Sequence, residues 1–171
     1  ATVAAYQITR KNIATQDPAD PSRTVLVGQQ TSRGLEATAG VALSPRLTLR
    51  GDASWVHARY DNYQQGGVSL AGKRPTNTPA VVANLWAFYQ LSPQLQLSAG
   101  VRHIGKIYGD AANTLYWPST TLLDLGLDYR IDRHTSLQAR LRNATDRSYA
   151  ASLSSGMAYL GAGRSASLAP Q

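Results

Sequence analysis

The 171-residue chain has no cysteine, so it can build neither a disulfide scaffold nor a thiolate metal site, and its three histidines are too scattered to suggest one. It has no run of about 18 apolar residues, which excludes a transmembrane helix. Charge is not concentrated either. The 17 basic and 10 acidic residues give a net +7, yet the basic groups come singly along alternating segments. That is the pattern of a solvated face, and nucleic acid is not an expected partner. There is no initiator Met and no charged-then-apolar leader at Ala1, so the chain reads as a mature or cut piece of something longer. Catalytic groupings are missing as well. His57, His103 and His134 fall on different expected strands or turns, with no nucleophile elbow, phosphate loop or paired-carboxylate spacing. No enzyme activity, resident cofactor or metal site is expected.

What the chain does have is alternation. Leu123, Leu125, Leu127, Tyr129 and Ile131 are apolar, and Asp124, Gly126, Asp128 and Arg130 lie between them. A helix would scatter these leucines, whereas a strand segregates them onto one face. The pattern returns at Leu35 to Leu43, Leu47 to Trp55, Ala83 to Leu91, Leu95 to Arg102 and Ser136 to Arg142. A weaker first strand sets Ala4, Tyr6 and Ile8 opposite Gln7, Thr9 and Lys11, and Arg164 to Leu168 offers a partial eighth. The fold class is therefore all-β.

The connections carry more information than the strands. Leu43-Ser44-Pro45-Arg46-Leu47 and Leu91-Ser92-Pro93-Gln94-Leu95 are near copies, and Ile131 to Leu137 takes the same role. They recur at intervals of 48 and about 40 residues, as an internal hairpin repeat. Between these tight turns lie long polar connections: Gln16 to Arg23, Asn62 to Pro79, Asp110 to Ser119 and Ala151 to Gly163. Short turns thus gather at one end of the sheet and long loops at the other. A soluble sandwich has no reason for this polarity. An antiparallel up-and-down transmembrane barrel does, with short periplasmic turns and long external loops.

Alternation alone does not say which face is the core, so the character of the polar face must. It holds Arg50, Asp52, Arg102, Asp124, Asp128, Arg130, Arg140 and Arg142, a mixed-charge lattice with few lysines, suited to pairing across a wet wall. The opposite face is small and aliphatic through the middle of each strand, as hydrocarbon requires. Aromatics such as Trp55, Tyr60, Tyr89 and Tyr149 collect near strand ends, as interfacial girdles do. Each segment supplies the 9 to 11 residues that a tilted spanning strand needs.

At this point the chain resembles the TonB-dependent ferric-siderophore receptors of the outer membrane. The resemblance rests on Ser32-Arg33-Gly34-Leu35-Glu36, then Gly72-Lys73-Arg74-Pro75 with Pro79, then Val101 to Thr114, Pro118-Ser119 and the following strand, and lastly Gly161-Ala162-Gly163-Arg164. These weak motifs occur in the family's order along nearly the whole chain. Asn143, Asp146 and Tyr149 also match the family's Asn, Asp and Tyr where the penultimate strand leaves the membrane, although Ala144 and Thr145 depart from its bulkier apolar residues. Similarity is greatest to the hydroxamate-siderophore branch and points to about eight C-terminal strands of the barrel. The resemblance implies location in the outer membrane and contact with its lipid. It implies uptake of a ferric siderophore, which brings its own iron, driven by the TonB complex through an N-terminal plug domain. Neither that plug nor the energy-coupling box occurs here, so no transport by this polypeptide alone is expected. The final Ala169-Pro170-Gln171 replaces the family's aromatic terminus.

Candidate ligand contacts on the external side are Tyr60, Tyr63, Tyr108, Asn113, Tyr116, Trp117 and Tyr159, the aromatic and hydrogen-bonding groups that suit a bulky chelate. Girdle or loop packing is the competing role for each. Ser32, Gly34, Glu36, Asn143, Asp146, Tyr149, Gly161 and Arg164 are read as structural, with Gly34 allowing close backbone approach and Glu36 pairing with a lumen arginine. Related receptors carry a disulfide in the last external loop, which must here be held by packing. Two other classes fit the pattern less well. One is a complete eight-stranded outer-membrane barrel, serving as an anchor or adhesin or, with His57 or His103 beside a reactive Ser, as a lipid-modifying enzyme. The other is a soluble β-barrel binding module.

Overall fold

The computed structural model describes every residue except Pro18, Pro21, Ser155 and Gln171. The first two fall in the first long connection, Ser155 in the last, and Gln171 closes the non-aromatic terminus, so those parts of the expectations above lie outside the described residues. The chain runs β1 (Thr2–Gln16), β2 (Thr24–Ser44), β3 (Leu47–Asn62), β4 (Gln64–Gln65), β5 (Val68–Ser69), β6 (Val81–Ser92), β7 (Leu95–Ile104), β8 (Ile107–Tyr108), β9 (Tyr116–Trp117), β10 (Thr120–Arg130), β11 (Ser136–Arg142), β12 (Ala150–Ser154), β13 (Met157–Leu160) and β14 (Ser165–Pro170). Among the described residues no helix is long and apolar enough to cross a membrane, a statement that leaves strands untouched.

Eight strands form one antiparallel sheet in the order β1-β2-β3-β6-β7-β10-β11-β14. The other six make three small hairpins, β4 with β5, β8 with β9 and β12 with β13, each inside a long connection. The two ends of the sheet differ as expected. At the short end, Ser44 Oγ accepts from the amides of Arg46 (3.2 Å) and Leu47 (3.1 Å), and Ser92 Oγ accepts from those of Gln94 (3.3 Å) and Leu95 (3.2 Å). The repeated Leu-Ser-Pro thus encodes one turn geometry twice. Asp132 Oδ1 replaces the hydroxyl in the third turn, accepting from His134 (2.7 Å) and Thr135 (2.8 Å). These donors hold its carboxyl below the ordinary 3.8 against a smaller opposing effect of burial, the His134 amide contributing most.

Pairing register assigns the faces. Leu35 lies opposite Trp55, Leu49 opposite Ala87 and Leu85 opposite Val101, so the apolar sets of neighbouring strands share one side. That side is open: Leu43 is 58% exposed, Leu85 53% and Leu168 68%. Among the described residues no side chain reaches full burial. A soluble module would cover such a face, so the open apolar surface fits contact with lipid. On β6 the band runs Val81, Ala83, Leu85, Ala87, Tyr89, Leu91. It covers about 33 Å of strand at roughly 3.3 Å per residue, which at a tilt of about 40° is a belt about 25 Å tall.

Above Trp55 the same outward side becomes polar. Arg33 Nε donates to Gln7 Oε1 at 2.8 Å, with His57 opposite Arg33 on β3. Beyond them Thr31 and Gln29 donate to Asp61, which also pairs with Arg59 at 3.5 Å. Strands β1 to β3 therefore continue past the apolar belt into water.

The lumen side holds the expected charges, with fewer ion pairs than a lattice implies. Arg140 pairs with Asp128 and donates to the carbonyls of Leu127 and Ala139. Asn84 donates to Asp52 at 2.8 Å. Arg50 lies 5.6 Å over the Phe88 ring, and Phe88 stacks with Trp86 at 6.1 Å. Among the described residues Glu36 makes no ion pair, contrary to expectation, because Ala4 and Ser54 are its cross-strand neighbours.

Two other expectations are corrected. Strand β2 begins at Thr24, eleven residues before its alternation becomes clear, because the polar upper wall has no apolar face to reveal a period. The faces of β1 are also reversed. Val3 and Ala5 pair with Ala37 and Leu35 on the outer side, while Tyr6 pairs with Gly34 and its ring covers that glycine. Gly34 makes room for this ring, so what approaches the glycine closely is a side chain and not another stretch of backbone.

Candidate functional site

The candidate residues converge on the long-loop end. Tyr60, on the lumen side of β3, is 9% exposed and stacks on Tyr63 with ring centroids 4.5 Å apart and planes 16° from parallel. The turn through β4 and β5 folds back so that the Leu70 amide bonds to the Tyr63 carbonyl at 2.9 Å, and Leu70 is buried there. Tyr60 is therefore packed in the wall and presents little surface.

The β8–β9 hairpin makes a more open site. Ile107 pairs with Trp117 and Tyr108 with Tyr116, and period-two alternation sends the two pairs to opposite sides. Ile107 joins Ala150 and Leu153 in a small apolar cluster against which Trp117 packs. On the other side Tyr108 and Tyr116 meet edge to face at 6.4 Å, and Lys106 Nζ lies 5.0 Å from one ring and 5.1 Å from the other. Tyr116 is 56% exposed, so a cation and two phenols are offered together to solvent. Trp117 also lines, with Pro118, Thr121 and Arg147, a recess of about 430 Å³.

The hairpin is closed by Asp110, which accepts from Thr114 N (3.1 Å), Thr114 Oγ1 (2.7 Å) and Leu115 N (2.7 Å). Burial pushes its carboxyl upward, but the bonds from Thr114 and Leu115 together outweigh it and hold the pKa below the ordinary 3.8. Asn113 sits within this turn at φ 62°. Its amide is used internally: Oδ1 accepts from Arg74 N and Nδ2 donates to Arg74 O, both at 2.8 Å. Asn113 thus joins two loops and offers little to a ligand.

The last loop is held by packing and hydrogen bonds. Leu153 is 4% exposed, and its backbone is gripped at both ends by Asn77. Tyr159 is 54% exposed on β13, where it pairs with Ser152. Asn143, buried at φ 48°, donates to Arg147 O (2.9 Å) and accepts from Arg147 N (2.9 Å), while its own amide donates to Asp124 at 2.7 Å. Asp146 turns the chain at φ 52° and accepts from Arg164 N at 3.0 Å, with a looser 3.8 Å contact to the Arg164 guanidinium. Tyr149 lies over Gly161. Ser32 sits in the upper wall opposite Ile8 and Ala58.

Lys106, Asn77 and Arg147 were not legible as candidates from sequence. A lone lysine before Ile-Tyr and an asparagine between threonines carry no period, and only the hairpin register brings them to the site. Chemically the rim offers stacking, phenolic hydrogen bonds and cations. His103 Nδ1 lies 3.0 Å from Thr121 Oγ1 and His57 lies opposite Arg33, and among the described residues neither histidine hydrogen-bonds to a serine. Among the described residues no cluster could hold a metal ion.

Comparison with known proteins adds the lineage. Residues 1–144 match the family described as TonB dependent receptor-like, beta-barrel. The chain is 32% identical over 172 residues to the ferrioxamine B receptor of Salmonella typhimurium, covering 95% of this chain and 24% of that protein. It is 30% identical over 159 residues to the ferrichrome outer membrane transporter/phage receptor of Escherichia coli K12, covering 88% and 21%. The crystal structure of the siderophore receptor PiuA from Acinetobacter baumannii superposes with a TM-score of 0.84 at 25% identity, over 98% of this chain and 25% of that one. The chain spans about a quarter of the length of these relatives.

Proposed function

We infer that this chain, which belongs to the TonB-dependent receptor-like β-barrel family, forms part of the wall and outer rim of a receptor that takes up ferric siderophores. Its place is the bacterial outer membrane, with the apolar belt against lipid. The observation that carries the reading is the division of the sheet: an open apolar belt outside, a charged lumen inside, and long loops at one end only. The class of chelate is suggested by relatives named for ferrioxamine and ferrichrome, both hydroxamate chelates. Such bulky complexes suit a rim where the edge-on phenols of Tyr108 and Tyr116 stand beside Lys106. Iron enters within the chelate, so the wall itself needs no metal ligands. Energy would come from the TonB complex, acting on a part of the receptor other than this wall.

The test is a fluorescence titration of the whole purified receptor with ferrioxamine B, ferrichrome and a ferric catecholate. The two hydroxamates are expected to bind and the catecholate not to. Removing either ring of the open site, by Tyr108→Ala or Tyr116→Ala, is expected to weaken binding about tenfold, the usual worth of one aromatic anchor. Failure of both hydroxamates to bind would refute the assignment of chelate class.

A further inference from the structure

The segment from Gly72 to Pro79 is part of the resemblance described above, yet neither the barrel wall nor the aromatic rim uses its side chains as ligand contacts. Its hydrogen bonds lead outward to three different parts of the chain. Toward its own strand, Tyr60 N donates to Lys73 O at 2.9 Å and Gly72 N donates to Tyr60 O at 2.8 Å. Arg74 Nη1 reaches the Val56 carbonyl at 3.1 Å. Toward the loop between β7 and β10, Arg74 exchanges two bonds with the Asn113 amide, and Asn77 N donates to Tyr108 O at 2.9 Å. Toward the loop between β11 and β14, Asn77 Nδ2 donates to Leu153 O at 2.8 Å and its Oδ1 accepts from Leu153 N at 2.7 Å.

Two side-chain amides therefore do what strand pairing does elsewhere, each satisfying both backbone groups of one residue on a distant loop. Both asparagines adopt the left-handed conformation, φ 52° at Asn77 and φ 62° at Asn113, which asparagine tolerates better than other non-glycine residues. The two distant loops also touch each other directly, since a Cβ at Gly109 would lie 2.9 Å from Leu153 Cβ.

We propose that the Gly72–Pro79 segment is a brace that locks three external loops into one body, and that Asn77 and Asn113 are positioning residues for the Tyr108–Tyr116 site. The purpose assigned to the brace rests on reading that site as ligand-binding; its existence does not. The loops then open and close together, so a chelate that contacts any one of them is felt by all three.

Hydrogen exchange on the whole receptor without ligand tests the brace separately from any chelate. Three variants grade the loss. Asn77→Asp keeps the acceptor and removes the donor, Asn77→Gly keeps the left-handed backbone and removes both, and Asn113→Asp removes the donor to Arg74. Exchange at the Leu153 amide is expected to rise about tenfold in Asn77→Gly, the effect of losing one or two neutral hydrogen bonds, and less in Asn77→Asp. The deciding signal is the Gly109 amide, which bonds to Leu115 O and not to residue 77. It is expected to speed up with Leu153 in both Asn77 variants, and again in Asn113→Asp, where the Arg74 amide keeps an acceptor and is not the readout, while the mid-strand amides of β6 and β7 stay unchanged. If Asn77→Gly exchanges like the native receptor, or if acceleration stays within residues 76–78, the brace is overturned. Loss of hydroxamate binding with the exchange pattern intact would instead count against the chelate assignment.

Discussion

Tyr149 lies across Gly161, and a Cβ built on that glycine would fall inside the ring. The same pairing of an aromatic with a bare backbone occurs where Tyr6 covers Gly34 and where Trp86 covers Gly100, whose Cβ would come within 2.5 Å of Trp86 Cε2. In each case the glycine leaves the space that the ring fills, so a single methyl is a steric change without room to relax. Gly161→Ala is expected to destabilise the folded receptor by about 1–3 kcal/mol through overpacking. Gly40→Ala, where the nearest neighbour would be Arg50 Cγ at 3.7 Å, should be close to neutral. The temperature at which the folded band disappears from an unheated gel measures both, and equal shifts would contradict the account. Gly34, Gly161 and Tyr149 stood out in the sequence, whereas Tyr6, Trp86 and Gly100 did not. Tyr6 looked outward because it alternates with Gln7, and only its pairing with Gly34 shows that it faces the lumen.

Within a strand, what was legible depended on which side of Trp55 the residues lie. Below it, hydrocarbon imposes a strict apolar period, and Leu47 to Trp55 or Leu123 to Ile131 could be assigned residue by residue. Above it both faces are wet, so nothing in Thr24 to Gly34 marks alternate positions as different, although the hydrogen-bonded ladder continues. The external hairpins were hidden for the same reason: β8 and β9 are two residues each and owe their pairing to Asp110 and to the Ile107 cluster. The face assignment yields a direct comparison on β6. Leu85, 53% exposed near the middle of the apolar belt, and Asn84, bonded to Asp52, are adjacent in sequence and point to opposite sides. Leu85→Lys is expected to cost about 2–4 kcal/mol in folding from denaturant into lipid vesicles, as a cation does at the bilayer midplane. Asn84→Lys keeps the charge in water beside Asp52 and should fold nearly as the native protein does. Similar costs for the two would mean that the faces are wrongly assigned.

For the whole molecule the sheet order has a simple corollary: β1 and β14 stand at its two edges. In lipid an unpaired ladder of N–H and C=O groups is too costly to persist, so those edges need partner strands. Refolded alone in detergent, the 171-residue chain is expected to take them from other copies and to sediment as a dimer or larger species. A folded monomer in analytical ultracentrifugation would mean that β1 and β14 meet each other. The turns at the short end bear on the same architecture from another direction. Ser44 and Ser92 each close a turn with amides of their own hairpin, and the next strand adds one bond to each turn, from Gln90 N to Arg46 O and from Arg130 N to Gln94 O. A unit that folds its own corner can be duplicated in a gene and inserted beside its parent without redesigning either, and every copy arrives with its open end facing the same way. Barrels made of such units can change circumference over evolutionary time by whole hairpins, which keeps the strand number even and leaves inside and outside where they were.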